Sequence, residues 1–285
     1  MNKLPPEVID SLKAFLKEDI RSGDITSNSM EELDGDATGT ITSKGKSILA
    51  GLAEVETIAD FSGLSYEILA FEGNWVDVGE PVIRLEGPAK TLLAIERVCL
   101  NIVQRMSGIA TMTYHMVKAA RKENQNIRVA ATRKTTPGFR FFEKRAVQIG
   151  GGDPHRYALD DMVLIKNNHI NVVGGVADAV RLAKEAVSFS KKVSCEARNI
   201  DEGMDAVKAG ADIILLDNFN PKTIEKFVSI LNEEGLRAKV LLETSGGIDE
   251  SNISEYAATG VDIISSGALT HSYKAADYHM TINLH

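Results

Sequence analysis

Reactive and anion-binding side chains recur at the ends of short apolar runs in the second half of this chain. The residues at the ends of these runs are Arg133 with Lys134, Lys166, Glu196, Asp217, Glu243 with Ser245, and Ser266 with Gly267. Arginine binds a carboxylate through two parallel hydrogen bonds, whereas lysine acts as a point charge. Together with Arg140, His155 and Arg156, the basic members predict a binding site for a doubly charged organic acid.

Two acidic run ends and two glycine turns would complete such a site. Glu196 and Asp217 suit Mg²⁺ held through few carboxylates plus substrate oxygens, and taken alone they suit a buried salt bridge equally well. The turns SGG (245–247) and SSGA (265–268) follow the last two runs, where barrel enzymes often bind phosphate. His271 begins the next helical stretch and could contact the same phosphate or serve the structure. The combination suits an organic acid that reacts with a magnesium-bound polyphosphate.

The elements that position these residues are predicted strands that alternate with amphipathic helices. The apolar runs are VAATRK (129–134), MVLIK (162–166), VSCEA (193–197), IILLD (213–217), VLLET (240–244) and IISSG (263–267). Continuous apolar strands in this alternation predict a parallel sheet that is buried on both faces. Six strands are fewer than the eight of a complete barrel, and an open doubly wound sheet fits as well. Both architectures bind ligands at the carboxyl ends of the strands.

The first third of the chain has a different pattern. Residues 36–88 alternate in short runs punctuated by glycine, which predicts a twisted antiparallel sheet. The predicted helices are 5–20, 53–61, 90–108 and 111–122. The change of pattern predicts an N-terminal domain over residues 1–106 and a catalytic domain over 107–285, whose last residues can pack back on the first domain.

Composition excludes several classes of partner. The 32 basic and 40 acidic residues give a net charge of −8, which argues against broad binding to nucleic acid or anionic membrane. No apolar stretch has the length of a membrane span or the form of a signal peptide. Cys99 and Cys195 lie in apolar runs without metal-type spacing, so we expect buried, reduced thiols. A soluble cytoplasmic protein is the expectation.

Motifs along almost the whole chain, in the same order, resemble the quinolinate phosphoribosyltransferase family, also called nicotinate-nucleotide pyrophosphorylase (carboxylating). In the second half these are TRKTTPGFR (132–140), GGGDPHR (150–156), LIKNNHI (164–170), LLDNF (215–219), ETSGGI (243–248) and SSGALTH (265–271). In the first half they are EDIRSGDITS, AGLAE and LLAIERVCLNIVQRMSGIAT.

This resemblance implies a fold, a reaction and an assembly. The fold is an N-terminal α/β sandwich plus an incomplete, TIM-like α/β barrel of about six parallel strands. The reaction, in de novo NAD biosynthesis, converts quinolinate and phosphoribosyl pyrophosphate into nicotinate mononucleotide, pyrophosphate and CO₂ with Mg²⁺. The assembly is a homodimer in which Arg97 of one subunit completes the site of the other.

The resemblance also implies roles for individual residues. Those expected to bind the two carboxylates of quinolinate are Arg133, Lys134, His155, Arg156 and Lys166. Glu196 and Asp217 are expected to face the ribose and the metal-bound pyrophosphate. Those expected to hold phosphate are Ser245, Gly246, Gly247, Ser266, Gly267 and His271. The catalytic candidates are Lys134, Lys166, Glu196 and Asp217, and the sequence does not choose which lysine assists the loss of CO₂.

One position departs from the family pattern, and three other functions stay open. The family often has a second acid two positions after the first, but here SCEARN has Arg198, which strand alternation would place on the side of Glu196. The first alternative is a molybdenum-uptake-associated paralogue of the same fold. The second is a barrel aldolase that uses Lys166 as a Schiff-base nucleophile. The third is a non-catalytic anion-binding protein.

Overall fold

The computed structural model describes residues 4–285 as eleven α-helices and twelve strands. The helices are α1 (Pro6–Ile20), α2 (Ile25–Asn28), α3 (Leu52–Ser62), α4 (Ala89–Glu123), α5 (Arg140–Ile149), α6 (Asn167–Val173), α7 (Val176–Ala186), α8 (Ile200–Lys208), α9 (Pro221–Glu233), α10 (Ile253–Ala257) and α11 (Ala268–His271). The strands are β1 (Asp36–Ser43), β2 (Ser47–Ile48), β3 (Ser65–Ile68), β4 (Trp75–Val76), β5 (Pro81–Pro88), β6 (Arg128–Ala130), β7 (Val163–Ile165), β8 (Val193–Ala197), β9 (Ile213–Asp217), β10 (Leu241–Ser245), β11 (Ile263–Ser265) and β12 (Tyr278–Leu284).

The chain divides into two compact units. Unit 1 comprises residues up to Met112 together with Pro137–Gly150 and Tyr273–His285, and unit 2 comprises Thr113–Thr136 and Gly151–Ser272. Unit 1 therefore includes two segments from beyond residue 106. Within the described part of the chain, no helix is both long enough and apolar enough to cross a membrane.

Unit 1 contains a four-stranded antiparallel sheet in the order β12-β1-β5-β3 and a small β2-β4 pair. Every second side chain of β1 is buried, as the alternating sequence predicts for a half-buried strand. Strand β12 at the end of the chain pairs with β1 from Ala37 opposite Leu284 to Ser43 opposite Tyr278. The sandwich predicted for this part of the chain is confirmed, with helices α1 and α3 near their predicted positions.

Helix α4 corrects the prediction of two separate helices. It is one continuous helix of 35 residues that passes through Gly108, where the sequence analysis placed a break. A glycine inside a helix costs roughly 0.5–1 kcal/mol relative to alanine. Here the backbone approach explains it, because a Cβ at Gly108 would lie 2.3 Å from the carbonyl oxygen of Lys274. The glycine is required for packing within unit 1 and does not end the helix.

A buried ionic cluster joins three elements of unit 1. The Arg145 guanidinium on α5 donates to both carboxylate oxygens of Glu54 on α3, at 3.1 and 2.9 Å, and also contacts the carboxylate of Glu72. Glu72 in turn accepts from the backbone N–H groups of Gly51 and Leu52 at the start of α3, at 2.6 and 2.9 Å. Glu54 is fully buried, so this cluster places charge inside unit 1.

Unit 2 contains a six-stranded parallel sheet in the order β6-β11-β10-β9-β8-β7. All six strands overlap the predicted apolar runs, with offsets of one residue at the start of β6 and the end of β10, and helices α6 to α11 follow or separate the strands β7 to β11. Strands β8 and β9 are almost wholly buried, as expected for a parallel sheet covered on both faces. Strands β6 and β7 are the two edges of the sheet, which confirms the prediction of fewer than eight strands.

Candidate functional site

A cavity of about 580 Å³ lies at the carboxyl ends of the parallel strands in unit 2. Its lining residues are Ala131, Thr132, Arg133, Lys134, His155, Arg156, Leu164, Lys166, Glu196, Leu215, Asp217, Asn218, Glu243, Ser245, Gly246, Gly247 and Ser265. Each of the six strands, or the loop directly after it, contributes to this wall. Because parallel strands have their carboxyl ends at one edge, residues far apart in the sequence meet here.

The basic side of the cavity is built from two loops and one strand end. Arg133 and Lys134 follow β6, Arg156 follows the glycine-rich segment, and Lys166 follows β7. Burial lowers the pKa of the Arg156 guanidinium, and the nearby charge of Arg133 lowers it further. Two cations this close repel each other, and a bound dianion would relieve that repulsion.

His155 connects the basic loop to Glu243 on the floor of the cavity. The backbone N–H of Arg156 donates to His155 Nδ1 at 2.8 Å, so the ring proton belongs on Nε2, which lies 3.3 Å from Glu243 Oε2. Glu243 is only 3% exposed, and the imidazole supplies it with a hydrogen-bond donor. His155 has a φ of +53°, which is uncommon for a residue other than glycine, and its own N–H donates to Asp153 at 2.7 Å.

Lys166 lies between the basic and acidic sides. Its Nζ is 4.0 Å from Glu196 Oε2, and its side chain is about half exposed toward the cavity. The backbone N–H of Lys166 donates to His169 Nδ1 at 2.9 Å, one turn into α6. This capping contact fixes the strand end that carries the lysine.

The acidic side consists of Glu196 at the end of β8 and Asp217 at the end of β9. Burial raises the pKa of Glu196, as does the charge of Asp217, while Lys166 acts in the opposite direction. Two carboxylates that disfavour each other's charge form a donor set that suits a hard cation completed by substrate oxygens. No preformed cluster of three or more metal-ligating side chains occurs within residues 4–285. The carboxylates of Glu196 and Asp217 would therefore need further oxygen ligands to complete the coordination of a hard cation.

Only some of the residues expected to hold phosphate line the cavity, and their role stays a prediction. Ser245, Gly246 and Gly247 line the cavity, but on the neighbouring strand the lining residue is Ser265 rather than Ser266. The hydroxyl of Ser266 donates to the Ile248 carbonyl at 2.6 Å and is buried away from the cavity. Gly267 and His271 do not line the cavity either. They lie beside a lining residue, since a Cβ at Gly267 would be 2.8 Å from His271 Nε2 and 2.9 Å from Lys134 Cδ.

Three other arginines do not line this cavity. Arg97 lies on α4 in unit 1 with 59% of its side chain exposed, and Arg140 begins α5, also in unit 1. Arg198 directly follows β8 and does not enter the cavity, although its positive charge opposes the rise in the pKa of Glu196 that burial causes. Its guanidinium instead turns to Glu202, four residues later, with Nε at 3.0 and 3.1 Å from the two carboxylate oxygens.

Four polar lining residues were absent from the predicted site: Thr132, Asn218, Glu243 and Ser265. Glu243 was noticed as a strand end but given no role. Ser265 differs from the predicted Ser266 by one position, and the period of two in a strand sends neighbours to opposite faces. Asn218 directly follows Asp217, so the strand-end rule could have found it.

Family models match both parts of the chain. The model described as "Quinolinate phosphoribosyl transferase, C-terminal domain" matches residues 109–281, and that described as "Quinolinate phosphoribosyl transferase, N-terminal domain" matches residues 24–107. The chain is similar to a "Probable nicotinate-nucleotide pyrophosphorylase (carboxylating)" of Methanocaldococcus jannaschii, with 45% identity over 273 residues and 95% of each chain covered. It is 38% identical over 250 residues to the human protein named "Nicotinate-nucleotide pyrophosphorylase (carboxylating)", covering 87% of this chain and 83% of the human one.

Solved structures agree with these matches. The crystal structure of NadC from Streptococcus pyogenes is 36% identical, superposes with a TM-score of 0.91 and covers 100% of both chains. A structure of the nicotinate-nucleotide pyrophosphorylase from Francisella tularensis is 38% identical with a TM-score of 0.91, covering 99% of this chain and 98% of that one. Both the order of the elements and their packing are therefore shared with solved relatives over the full length.

Proposed function

The chain belongs to the quinolinate phosphoribosyltransferase family, and from this premise we propose that it converts quinolinate and phosphoribosyl pyrophosphate into nicotinate mononucleotide, pyrophosphate and CO₂. The observation that carries the proposal is the cavity of unit 2, which combines a cationic side, two carboxylates and a glycine turn in one wall. A dianionic acid, a metal-bound pyrophosphate and a ribose phosphate need these three environments.

The basic side binds and orients quinolinate. Arg133 and Arg156 each offer a planar pair of donors to a carboxylate, and Lys166 supplies a point charge beside them. Glu243 and Asp161 offset only part of the cost of holding these cations together, so a ligand that brings two negative charges would bind favourably. This feature selects quinolinate over an acid with one carboxylate. Holding two bound reactants in the right orientation can lower the activation free energy by on the order of 7–11 kcal/mol.

The acidic side and the glycine turn hold phosphoribosyl pyrophosphate. Glu196 and Asp217 would bind Mg²⁺ together with pyrophosphate oxygens, and the ion would supply charge neutralisation for the leaving group. Ser245, Gly246 and Gly247 offer backbone N–H groups to phosphate. The pyridine nitrogen then forms a bond to ribose C1 as the C1–oxygen bond to pyrophosphate breaks, through an oxocarbenium-like transition state stabilised by these groups.

Decarboxylation follows from the positive charge on the ring nitrogen. The electron pair of the bond to the adjacent carboxylate moves to the ring as CO₂ leaves, and the ring carbon then takes a proton. The stem of Lys134 passes Gly267 and His271, whereas the Lys166 amine lies 4.0 Å from Glu196 Oε2. We therefore assign Lys134 to the phosphate side and Lys166 to the ring. A Schiff-base aldolase activates its lysine by apolar surroundings or by a neighbouring cation, whereas Lys166 has the carboxylate of Glu196 4.0 Å from its amine.

The direct test is an assay with quinolinate, phosphoribosyl pyrophosphate and Mg²⁺ that measures CO₂ and nicotinate mononucleotide together. We expect both products in equal amounts, and none when nicotinate replaces quinolinate, because one carboxylate leaves half of the cationic side unmatched. Removal of Mg²⁺ with a chelator should abolish turnover, and added Mg²⁺ should restore it. Turnover of nicotinate, or CO₂ release without the nucleotide, would contradict the proposal.

The assembly is part of the same proposal: two cytoplasmic copies form a homodimer in which Arg97 of each enters the site of the other. Its support is the resemblance of the Arg97 segment to the family and the exposure of this arginine on α4. Mixing inactive Arg97→Ala with inactive Lys166→Ala protein tests it. Hybrid dimers would have one site free of both substitutions, so activity should return. Mixtures as inactive as their components would contradict donation across subunits.

A further inference from the structure

Asn218 is the first residue after β9 and lies on the wall of the substrate cavity. It has a left-handed backbone with a φ of +58°, which asparagine tolerates better than most residues. It also lines a neighbouring cavity of about 610 Å³, so its side chain is exposed on two sides. With so little packing around it, the few polar and steric contacts of Asn218 determine where its amide points.

The first contact orients the adjacent acid. Asn218 Nδ2 donates to Asp217 Oδ2 at 2.8 Å, which leaves Asp217 Oδ1 as the less engaged oxygen. A hydrogen bond to a charged acceptor is stronger than one between neutral groups. The amide therefore selects one orientation of the Asp217 carboxylate, the group that faces the ribose and the metal-bound pyrophosphate in the proposed reaction.

The second contact shapes the glycine turn on the next strand. A Cβ added to Gly246 would lie 2.2 Å from Asn218 Oδ1 and 2.6 Å from its Cγ. Gly246 also has a φ of +106°, so two independent reasons require glycine at this position. The same amide that donates to Asp217 through its nitrogen thus packs against Gly246 through its oxygen.

The third contact joins the backbones of the two strand ends. The N–H of Asn218 donates to the Ser245 carbonyl at 2.8 Å, and the Ser245 hydroxyl donates to the Ser265 carbonyl at 3.2 Å. The first bond extends the pairing of β9 with β10 by one residue beyond the end of β9, and the second joins the last residues of β10 and β11. Asn218 is the residue in this chain of contacts that touches both an acidic group and the phosphate turn.

We propose that Asn218 is a positioning residue that fixes the Asp217 carboxylate relative to the Ser245–Gly247 turn. Both ends of phosphoribosyl pyrophosphate can then bind at the same time. This inference rests on the proposed function and adds a specific role to it. Loss of the amide should therefore weaken the binding of phosphoribosyl pyrophosphate. The binding of quinolinate should not change, since the basic side does not touch Asn218.

The first experiment separates the two substrates. Asn218→Gly removes the amide and suits the left-handed backbone, while Asn218→Asp keeps the shape and removes the donor. In both variants we expect KM for phosphoribosyl pyrophosphate to rise on the order of tenfold, the factor that corresponds to one charge-assisted hydrogen bond, with KM for quinolinate unchanged. Calorimetric titration with phosphoribosyl pyrophosphate and Mg²⁺, without quinolinate, should show the same loss of affinity. Asn220→Ser, which keeps the cap of α9, serves as the matched control.

The second experiment measures the contact with Gly246 and does not depend on turnover. Gly246→Ala should lower the thermal midpoint strongly in the wild-type background and less in the Asn218→Gly background, because the amide is no longer in the way. Strictly additive effects would overturn the inference. So would unchanged affinity for phosphoribosyl pyrophosphate, or equal losses for both substrates. Absence of turnover in the wild-type protein would instead contradict the proposed function.

Discussion

In unit 1 the guanidinium of Arg145 contacts two carboxylates, whereas in unit 2 the guanidinium nitrogens of Arg133 and Arg156 have none within 4.0 Å among residues 4–285. The Arg145 and Arg156 side chains are partly withdrawn from water, whereas Arg133 is exposed to the cavity. In the first cluster one cation serves Glu54 and Glu72. In unit 2, the cations Arg133 and Arg156 lie close to each other on the wall of one cavity. In unit 1 the charges are paired without a ligand. In unit 2 the two arginines are available to pair with an anion.

The difference separates two uses of the same residue type. A charged group that is buried and paired holds a fold together, and removal of one partner leaves an uncompensated charge. A charged group held beside a like charge stores unfavourable energy that a ligand can release. A basic residue in mid-helix, as Arg145 is in α5, would ordinarily pair with acids on the surface. The partners proved to be acids, but Glu54 is fully buried.

The largest effect should come from removal of the cation in unit 1. Arg145→Ala leaves two carboxylates facing each other, and loss of one partner from a buried pair typically costs about 3–5 kcal/mol of unfolding free energy. Denaturant unfolding measures this loss. Arg84→Ala is the matched control, since its ion pair with Glu67 is largely exposed and such pairs contribute about 0.2–1 kcal/mol. Similar losses in both variants would remove the distinction between a buried cluster and a surface pair.

Removal of a cation in unit 2 should have the opposite profile. Arg133→Ala should raise KM for quinolinate by a factor corresponding to about 2–4 kcal/mol, the usual cost of truncating one partner of a charged hydrogen-bonded pair. Stability should stay the same or rise slightly, because the repulsion that lowers the pKa of Arg156 is removed. Steady-state kinetics and thermal unfolding give the two numbers. Arg181→Ala, on the exposed face of α7, is the control that should change neither.

The parallel sheet and its strand ends could be predicted because both depend on local pattern. Continuous apolar runs located all six strands, and the polar residue after each run located most of the cavity. Features that depend on distant partners could not be read in this way. Residue 108 is a glycine because the Lys274 carbonyl packs against it, and not because helix α4 ends there. Strand β12 forms by pairing with β1, which lies far away in the sequence.

Small offsets account for the errors within the site. Arg198 follows the end of β8 directly, and its guanidinium pairs with Glu202 while its charge still acts on Glu196, as the alternation predicted. The cavity contains Ser265 where Ser266 was expected, a shift of one residue that exchanges the two faces. Asn218 was missed because its type has no charge. The strand-end rule identifies the neighbourhood of a site, and the register decides which neighbour enters it.

A pH-dependent stability should distinguish unit 1 from an ordinary set of surface acids. Burial raises the pKa of Glu54 from 4.5 to about 7, with Arg145 opposing and Glu72 adding to the rise. Between these two values the folded state holds a proton that the unfolded state has released. The free energy of unfolding should therefore fall as pH rises through this window and level off above about 7.

Glu54→Gln is the variant that isolates this effect. In this variant the thermal midpoint should not show the part of the decline with rising pH that Glu54 causes. In the wild type, each kcal/mol of lost unfolding free energy lowers the midpoint by roughly 2–4 °C. Scans at several pH values from below 5 to above 7 compare the two proteins. Parallel curves for wild type and variant would mean that Glu54 titrates as an exposed acid does.

The smallest expected effect on substrate binding comes from a glycine of unit 2, and a glycine of unit 1 provides the contrast. Gly267→Ala would bring a Cβ close to the ring of His271 and to the stem of Lys134, both of which are side chains that can move, and its φ of −72° suits alanine. We expect the affinity for phosphoribosyl pyrophosphate to fall by about 1 kcal/mol, the low end for overpacking, with little loss of stability. Gly108→Ala meets a backbone carbonyl instead, so it should lower the thermal midpoint and leave the substrate affinity of the folded protein unchanged. The reverse result, with Gly267→Ala lowering stability and Gly108→Ala weakening substrate binding, would show that the two units do not divide structure and binding between them.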